Sequence, residues 1–320
     1  MKRFDSLWLV TATLAITGLL CFSQTSLADV SSSPTASPTP AAKNGANLVP
    51  GADQVDELLT NPNLRAYAGS KSRWSMSNSI TYDGGTISAP FGESRPNIAG
   101  ASGTSLDTDL NDQLSVKLSI NAVNSLLLGF GIRKMAPFTF SGPSQTFYDN
   151  GGKDMDFFDP SLTYQYIYKL LGIQAVAQVG ATQYTRADIH SSQQGNLDKA
   201  IGFDQENIYE LGNLSIGASI GFGFNQPTDP TVDYSRWPWW FDPYLEYKFN
   251  DTFNFRTVFD RYNYEYYPIS GMNLDKWVQS IGIGCSVTRD LFLYPNIQFN
   301  PDNIVASNTN LGVTITLNLF

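Results

Sequence analysis

Carboxylates occur at alternate positions in two stretches of the sequence. Asp204, Glu206 and Glu210 share one parity in the first stretch, and Asp242 and Glu246 share one parity in the second. Alternate residues of a β-strand lie on the same face, so each stretch would present its acids on one side. The stretch between them has only Ser and Gly at every second position, which leaves room beside the acids. With nearby cations and one more acid, they form the predicted set of inward-facing site residues: Asp204, Glu206, Glu210, Asp242, Glu246, Lys248, Arg256 and Asp260.

Two interpretations of this set differ in what the acids do. In the first, they form a cation-preferring constriction or a solute site inside a pore. In the second, cations pair with the acids and side chains fill the interior, with the Ser and Gly positions making space for Tyr244, Phe292 and Tyr294. Further charged candidates for the same face are Lys117, Arg133, Asp159 and Lys276. The chain has a single histidine, which removes most metal and general-base schemes, so no catalytic residue, metal site or cofactor is expected.

The second acidic stretch has the pattern of a strand with one apolar face and one charged face. Its odd positions from Phe241 to Phe249 are Phe, Pro, Leu, Tyr and Phe, and its even positions are Asp, Tyr, Glu and Lys. A near-copy runs from Phe158 to Tyr166. Proline cannot donate a hydrogen bond to a neighbouring strand. We therefore expect Pro243 to point outward near the outer end of its strand.

The same alternation recurs about twelve times in residues 72–320, the predicted barrel domain. The connections alternate between long Gly-, Ser- and Asn-rich loops and short turns, and aromatic residues cluster near the strand ends. Lipid cannot satisfy a free sheet edge, so a membrane-spanning sheet must close on itself. The sequence therefore predicts an all-β fold: a closed antiparallel up-and-down transmembrane β-barrel of about 12 strands, with apolar side chains facing lipid and charged side chains facing the lumen.

Residues 1–28 are predicted to be a signal peptide. Lys2 and Arg3 precede an apolar run, and Ser26-Leu27-Ala28 fits a cleavage site. Cleavage would take Lys+Arg from 20 to 18 and Asp+Glu from 29 to 28, which gives a net charge of −10, and would leave Cys285 without a disulfide partner. Such a chain offers no basic face for nucleic acid. Beyond residue 28 no apolar run is long enough for a helical span.

Residues 29–71 are predicted to be a periplasmic linker with a possible short helix. The first part is rich in Pro, Ser, Thr and Ala and is too polar to build a core. Ala52 to Leu59 could form a helix with its apolar residues on one face, ended by Asn61-Pro62. This helix would be either a plug or cap at the periplasmic mouth of the barrel or a helical turn in a tether. Its short length favours the tether.

The ending Leu317-Asn318-Leu319-Phe320 resembles the carboxy-terminal strand of bacterial outer-membrane β-barrel proteins, whose last residue is typically Phe and is read by the barrel-insertion machinery. The apolar positions from Leu311 to Leu319 have the opposite parity to Phe320, which departs from the usual pattern. The resemblance covers residues 72–320 at the level of architecture and matches no specific transport family. It implies a porin-like barrel in the outer membrane of a Gram-negative cell, with outer-membrane lipid and the insertion machinery as partners.

One segment offers an enzymatic alternative. His190 with Ser192 resembles the catalytic pair of outer-membrane phospholipases, which are also twelve-stranded. In a strand these two residues would share a face, so the His could act as a base for the Ser. Here they lie in a polar, loop-like stretch, and no third group that would orient the His is identifiable. The hydrolase is therefore the second alternative only.

The sequence favours a non-enzymatic function in the outer membrane. The main hypothesis is a narrow porin-like channel for small polar solutes or ions with an acidic lumen. The first alternative is a non-conducting barrel with a structural or surface-recognition role, whose long loops would be the working surface. No residue pattern specifies a solute or an oligomeric state.

Overall fold

The computed structural model describes residues 51–98, 105–136, 155–186, 196–260, 263–274 and 277–319. Several sequence predictions fall outside these residues and stay predictions. They concern the signal peptide, the first part of the linker, the His190 and Ser192 pair, Lys276 and Phe320.

The described chain begins with two short helices and continues almost entirely as strands. The helices are α1 (Ala52–Leu58) and α2 (Pro62–Ala68), and a 3-10 helix, Ala306–Asn308, precedes the last strand. The strands are β1 (Trp74–Thr86), β2 (Ser94–Pro96), β3 (Ser105–Asp107), β4 (Asp109–Ser119), β5 (Asn124–Met135), β6 (Met155–Leu170), β7 (Ile173–Gln183), β8 (Leu197–Leu211), β9 (Leu214–Pro227), β10 (Trp237–Lys248), β11 (Phe253–Asp260), β12 (Tyr264–Tyr267), β13 (Gly271–Leu274), β14 (Val278–Thr288), β15 (Leu291–Phe299) and β16 (Thr309–Leu319).

Twelve of these strands form one closed antiparallel barrel: β1, β4 to β11, and β14 to β16. Each pairs with its neighbours in sequence, and β1 pairs with β4 on one side and with β16 on the other, which closes the sheet. This confirms the predicted all-β, up-and-down barrel of twelve strands. Short turns, such as residues 171–172 and 212–213, lie at one end of the barrel, and long loops lie at the other. We call these the short-turn end and the long-loop end.

The four remaining strands form two small hairpins at the long-loop end. β2 pairs with β3 as a separate two-stranded sheet, and the β12–β13 hairpin extends the barrel wall by pairing with the outer part of β10. Among the described residues, no helix has the length and apolar character needed to cross a membrane.

The alternation predicted for β10 is present in the structure. Phe241 and Leu245 point out of the barrel and are 39% and 38% exposed, whereas Tyr244 and Glu246 point inward and are each 2% exposed. The outer wall is therefore apolar at this strand and the inner wall is polar, as expected for a barrel whose outside faces lipid.

The sequence predicted that Pro243 lies near the outer end of its strand. In the structure it lies in the middle of β10. β10 pairs with β11 from Tyr244 to Lys248 and with β12 from Trp237 to Trp239. Pro243 falls in the gap where β10 changes partners on that side. Because proline has no backbone N–H, the bond that it cannot make coincides with a break in the pairing.

The predicted near-copy in β6 has a different local structure. Asp159 has a φ of 51°, and the register of β5 with β6 shifts just before Gly131. This bulge reverses the parity of the strand, so Phe158 is buried beside Gly131, where a Cβ would lie 2.4 Å from its ring. The Asp159 carboxylate accepts hydrogen bonds from the backbone N–H groups of Thr185 and Arg186. Asp159 therefore anchors the neighbouring strand end and does not line the lumen.

Candidate functional site

The segment before the first barrel strand fills the short-turn end of the lumen, and we call residues 52–69 the plug. Helix α1 contacts β6, and helix α2 contacts β7, β14, β15 and β16 across the interior. The Asn61-Pro62 pair does not only end the first helix. The Asn61 side chain caps α2 by accepting a hydrogen bond of 3.0 Å from the N–H of Leu64, and Pro62 takes the first helical position. The tether that the sequence favoured is thus replaced by a docked helical pair.

Apolar side chains anchor the plug. Leu59 and Leu64 are 0% and 2% exposed, and Val55 is also buried. They pack with four inward-facing wall residues: Ile167, Val176, Ile208 and Tyr244. Full burial of one such side chain contributes about 1.5–3 kcal/mol, so these anchors stabilise the docked plug.

A polar ring surrounds the connection between the two helices. The Gln174 Oε1 atom accepts hydrogen bonds from the backbone N–H groups of Thr60, at 2.8 Å, and Asn61, at 3.1 Å. The Gln174 Nε2 atom donates to the Thr60 hydroxyl at 2.7 Å and to Glu210 at 2.9 Å, and the Thr60 hydroxyl in turn donates to Glu210. Both backbone donors that precede helix α2 are therefore satisfied by the barrel wall.

Glu246 continues this ring on the next wall segment. Its carboxylate accepts hydrogen bonds from Asn61 Nδ2 at 2.8 Å and Asn63 Nδ2 at 3.4 Å. It also forms an ion pair of 2.7 Å with Arg256, whose guanidinium lies 4.2 Å from the ring centre of Tyr244. A buried carboxylate is stable only when paired and hydrogen-bonded, and Glu246 has both kinds of partner.

The opposite wall donates to the carboxyl end of helix α2. The Lys117 Nζ atom donates to the carbonyl oxygen of Ala68 at 2.6 Å, and the Asn318 Nδ2 atom donates to that of Ala66 at 2.9 Å. The last carbonyl groups of a helix have no partner within it, and a cation is favoured there. The wall thus offers acceptors to one end of α2 and donors to the other.

An ion-pair cluster holds α1 at the mouth of the barrel, outside the membrane-spanning strands. Asp56 pairs with Lys71 at 2.5 Å and with Arg289, in the turn between β14 and β15, at 3.1 Å. Partial burial would raise the pKa of Asp56. The hydrogen bonds and positive charges of Lys71 and Arg289 outweigh that effect, so the pKa lies below its usual range.

Four acids lie further towards the long-loop end: Asp204, Glu206, Asp242 and Asp260. Glu206 of β8 and Asp242 of β10 both lie opposite Ser219 of β9, so they flank it at one level of the lumen. The charges of Asp260, Glu206 and Asp204 all act on Asp242. These side chains are half-buried, and the Tyr67 hydroxyl of the plug donates to Asp204 at 2.8 Å.

Aromatic side chains occupy part of the space beside these acids. A Cβ on Gly217 would lie 2.2 Å from Tyr244, and one on Gly221 would lie 1.9 Å from Trp240. The glycines of β9 therefore accommodate rings that extend inward from β10, as the filled-interior interpretation predicts for Tyr244. Among the described residues, no group of three or more His, Cys, Asp or Glu side chains is arranged to hold a metal ion.

The predicted site residues divide into three groups by position. Glu210, Glu246 and Arg256 lie at the plug, and the four acids lie beyond it towards the long-loop end. Lys248 lies at the rim of the short-turn end, where its side chain is 45% exposed and pairs with Asp251 at 2.7 Å. Sequence reasoning missed the partners of the plug, Gln174, Asn318 and Arg289. The signal that could have revealed an internal partner is the presence of apolar residues at inward positions: Ile167, Val176 and Ile208.

No family model matches the chain, and no curated protein matches it. Among solved structures, the chain is similar to Salmonella typhi OmpF in complex with daunomycin, at 10% identity and a TM-score of 0.39, covering 79% of this chain and 99% of that one. It is also similar to an outer membrane channel from Pseudomonas putida F1, at 11% identity and a TM-score of 0.48, covering 79% and 97%. A third is the loop L8 deletion mutant of OmpT, an outer membrane protein of Vibrio cholerae, at 9% identity and a TM-score of 0.36, covering 77% and 97%.

These likenesses concern the fold alone. The twelve strands, their antiparallel closure and the apolar outer wall are features of the chain itself. The protein has the architecture of an outer-membrane β-barrel, with a helical plug inside its short-turn end.

Proposed function

We propose that the protein is a narrow, non-enzymatic channel of the outer membrane for small polar solutes or ions, with an acidic lumen that favours cations. The plug would close its periplasmic mouth in the conformation described above. Outer-membrane lipid would surround the apolar wall, and the barrel-insertion machinery would place the chain there. The short-turn end would face the periplasm, because short periplasmic turns and long outer loops are the usual arrangement of such barrels.

One observation carries the proposal: three acids, Asp204, Glu206 and Asp242, lie half-buried at neighbouring positions of the lumen wall beyond the plug. Asp204, Glu206 and Asp242 point into the same space, and the Asp260 charge acts on it too. A concentration of one sign of charge between low-dielectric walls raises the local concentration of counter-ions. Cations entering from the long-loop end would therefore be favoured over anions.

The closed mouth supports a gated channel over an open one. The cavity between the plug and the wall near Asn61 and Glu246 has a volume of about 20 Å³, which is close to the size of a single water molecule. The two helices of the plug also contact β6, β7, β14, β15 and β16 across this end of the lumen. Conduction would thus require the plug to loosen or leave, and opening would depend on its docking free energy.

Conductance of the purified full chain in planar bilayers tests the proposal. We expect rare, discrete openings that are selective for cations. Asp242→Asn should lower the ratio of cation to anion permeability, because one charge at about 4 Å contributes about 1 kcal/mol even in water-like surroundings, a roughly fivefold effect. Asp302→Asn removes an exposed acid from the loop between β15 and β16 and should leave the ratio unchanged.

A second candidate, a non-conducting barrel, is favoured by how firmly the plug is anchored. Leu59 and Leu64 are buried, and donors and acceptors of the wall bind both ends of helix α2. Bilayers that stay silent with the wild type, and also with a variant whose plug anchor is removed, would support this candidate and contradict the channel.

A further inference from the structure

The wall residues that bind the connection between α1 and α2 form a ring of hydrogen-bond acceptors. We call Gln174, Glu210 and Glu246 the acceptor ring. The plug presents donors to it almost exclusively. They are the backbone N–H groups of Thr60 and Asn61, the Thr60 hydroxyl, and the side-chain amides of Asn61 and Asn63.

The wall positions these acceptors independently of the plug. The Gln174 Nε2 atom donates to Glu210 at 2.9 Å, which turns the Gln174 Oε1 atom towards the lumen. Arg256 holds Glu246 at 2.7 Å, and Asn254 Nδ2 donates to the same carboxylate at 3.5 Å. The acceptors would therefore keep their arrangement if the plug left, and each would need a new donor.

The charge of the ring defines what else could satisfy it. Glu210 and Glu246 carry two negative charges, and Arg256 forms an ion pair with Glu246. Glu210 has hydrogen bonds from Thr60 and Gln174, both uncharged. An anion would be repelled by the ring. An ammonium group would supply N–H donors and also a positive charge beside Glu210, whose present partners are uncharged.

We infer that the acceptor ring is a binding site for small organic ammonium ions with several N–H donors, and that such a solute competes with the plug for it. This inference rests on the proposed channel, because the solute would reach the ring past Asp204, Glu206 and Asp242 from the long-loop end. The plug is in this sense an internal ligand whose donors reveal the preference of the site. The solute promotes opening because it binds the ring only where the plug has withdrawn.

Thermodynamic linkage gives the size of the effect. A ligand that binds only the undocked state raises the population of that state by a factor of 1 + [L]/Kd, which is roughly tenfold at ten times Kd. A cation without N–H donors gains only from the charge of the ring and leaves the acceptor oxygens unsatisfied. Its effect on the plug should therefore be much smaller.

Hydrogen exchange of the plug peptide, residues 52–69, tests the inference in the detergent-solubilised full chain. The probe is the 1,4-butanediammonium ion, and the matched control is its permethylated analogue, which has the same charge and no N–H donors. We expect the diammonium ion to accelerate exchange of the plug roughly tenfold at about ten times its Kd. Equal acceleration by the two ions, or none by either, would overturn the proposal.

Two variants test whether the effect of the diammonium ion depends on the acceptor ring. Glu210→Gln removes a charge that pairs with no Lys or Arg among the described residues, but keeps a side-chain oxygen. The plug should therefore dock, while the response to the diammonium ion falls severalfold. Asp302→Asn removes an exposed acid far from the ring and should respond as the wild type does. A Glu210→Gln variant with the full wild-type response would contradict the assignment of the site.

Exchange and conductance separate this inference from the proposed channel. If the barrel does not conduct but the diammonium ion still releases the plug, the binding site is supported and the proposed channel is contradicted. If the barrel conducts cations but the diammonium ion does not change exchange of the plug, the proposed channel is supported and the binding site is contradicted.

Discussion

The two ends of the lumen are built from the same alternating strands but treat polar groups differently. At the short-turn end, Gln174 and Glu246 are 1% and 2% exposed, and each makes several hydrogen bonds to the plug. Towards the long-loop end, Glu206 and Asp242 are only half-buried, and within the described part of the chain no hydrogen bond joins the plug to either. The plug therefore determines which lumen residues are buried in helix docking.

The difference is visible in the residue types as well. The inward positions at the plug include Ile167, Val176 and Ile208, which have no purpose in a water-filled lumen but pack well against helices. Beyond the plug, the inward positions include the acids Asp204, Glu206 and Asp242 together with the ring of Trp240. Apolar inward residues are thus found where the plug packs, and they explain why an internal segment docks at that end of the barrel.

Removing an apolar anchor should have the largest effect on this contrast. Leu59→Ala deletes a fully buried side chain, which typically costs about 2–5 kcal/mol and would act on the docked plug. We expect more frequent channel openings in bilayers and faster hydrogen exchange in residues 52–69. Leu162→Ala is the matched control, because Leu162 faces outward and is 57% exposed. An unchanged plug in Leu59→Ala would show that the apolar contacts do not hold it.

Removing a donor at the other end of helix α2 should have a smaller effect. Lys117→Met keeps most of the side-chain stem but loses the charged donor to the Ala68 carbonyl, a contribution of about 1.5–3 kcal/mol. Exchange should accelerate mainly in the second half of the plug. Lys199→Met removes a lysine at the long-loop end that pairs with Asp198 and is 57% exposed, and it should leave the plug unchanged. Equal effects of the two substitutions would contradict the contrast between the two ends.

The sequence predicted the barrel well because a strand is a local pattern. Period-two alternation within β10 or β9 is decided by residues a few positions apart, and twelve repetitions reinforce one another. The bulge at Asp159 was missed because the sequence Phe-Asp-Pro occurs in both β6 and β10, while a positive φ occurs only in β6. The same three residue types therefore point to different faces in the two strands. The pairing with neighbouring strands determines which face they occupy.

The plug could not be predicted in the same way, because its contacts are distant in sequence. Thr60 bonds to Gln174, 114 positions away, and Asn61 bonds to Glu246, 185 positions away. Seven-residue helices such as α1 and α2 are marginal in isolation, so their length alone pointed to a tether. The site residues were recognised by type and parity, but which of them lie against the plug connection depends on where the helices dock.

The smallest expected effect concerns acid at the mouth of the barrel. Asp56 faces Lys71 and Arg289, and Asp53 and Asp290 are the other charged groups bonded to these two cations. The pKa of Asp56 is lowered in the folded protein, so its contribution is present above about pH 3.9, the usual value for Asp, and is lost as the pH falls through the lower folded value. The pairs are partly exposed, so the contribution is about 1 kcal/mol or less.

Channel openings should therefore become slightly more frequent below about pH 4 in the wild type. Asp56→Asn should show more openings already at neutral pH and a smaller rise on acidification, since it lacks the charge that protonation removes. If acid raises the opening frequency of both proteins equally, protonation of Asp56 does not cause the rise. The acids of the lumen would then be responsible for it, and the ion pairs at the mouth would not contribute to plug docking.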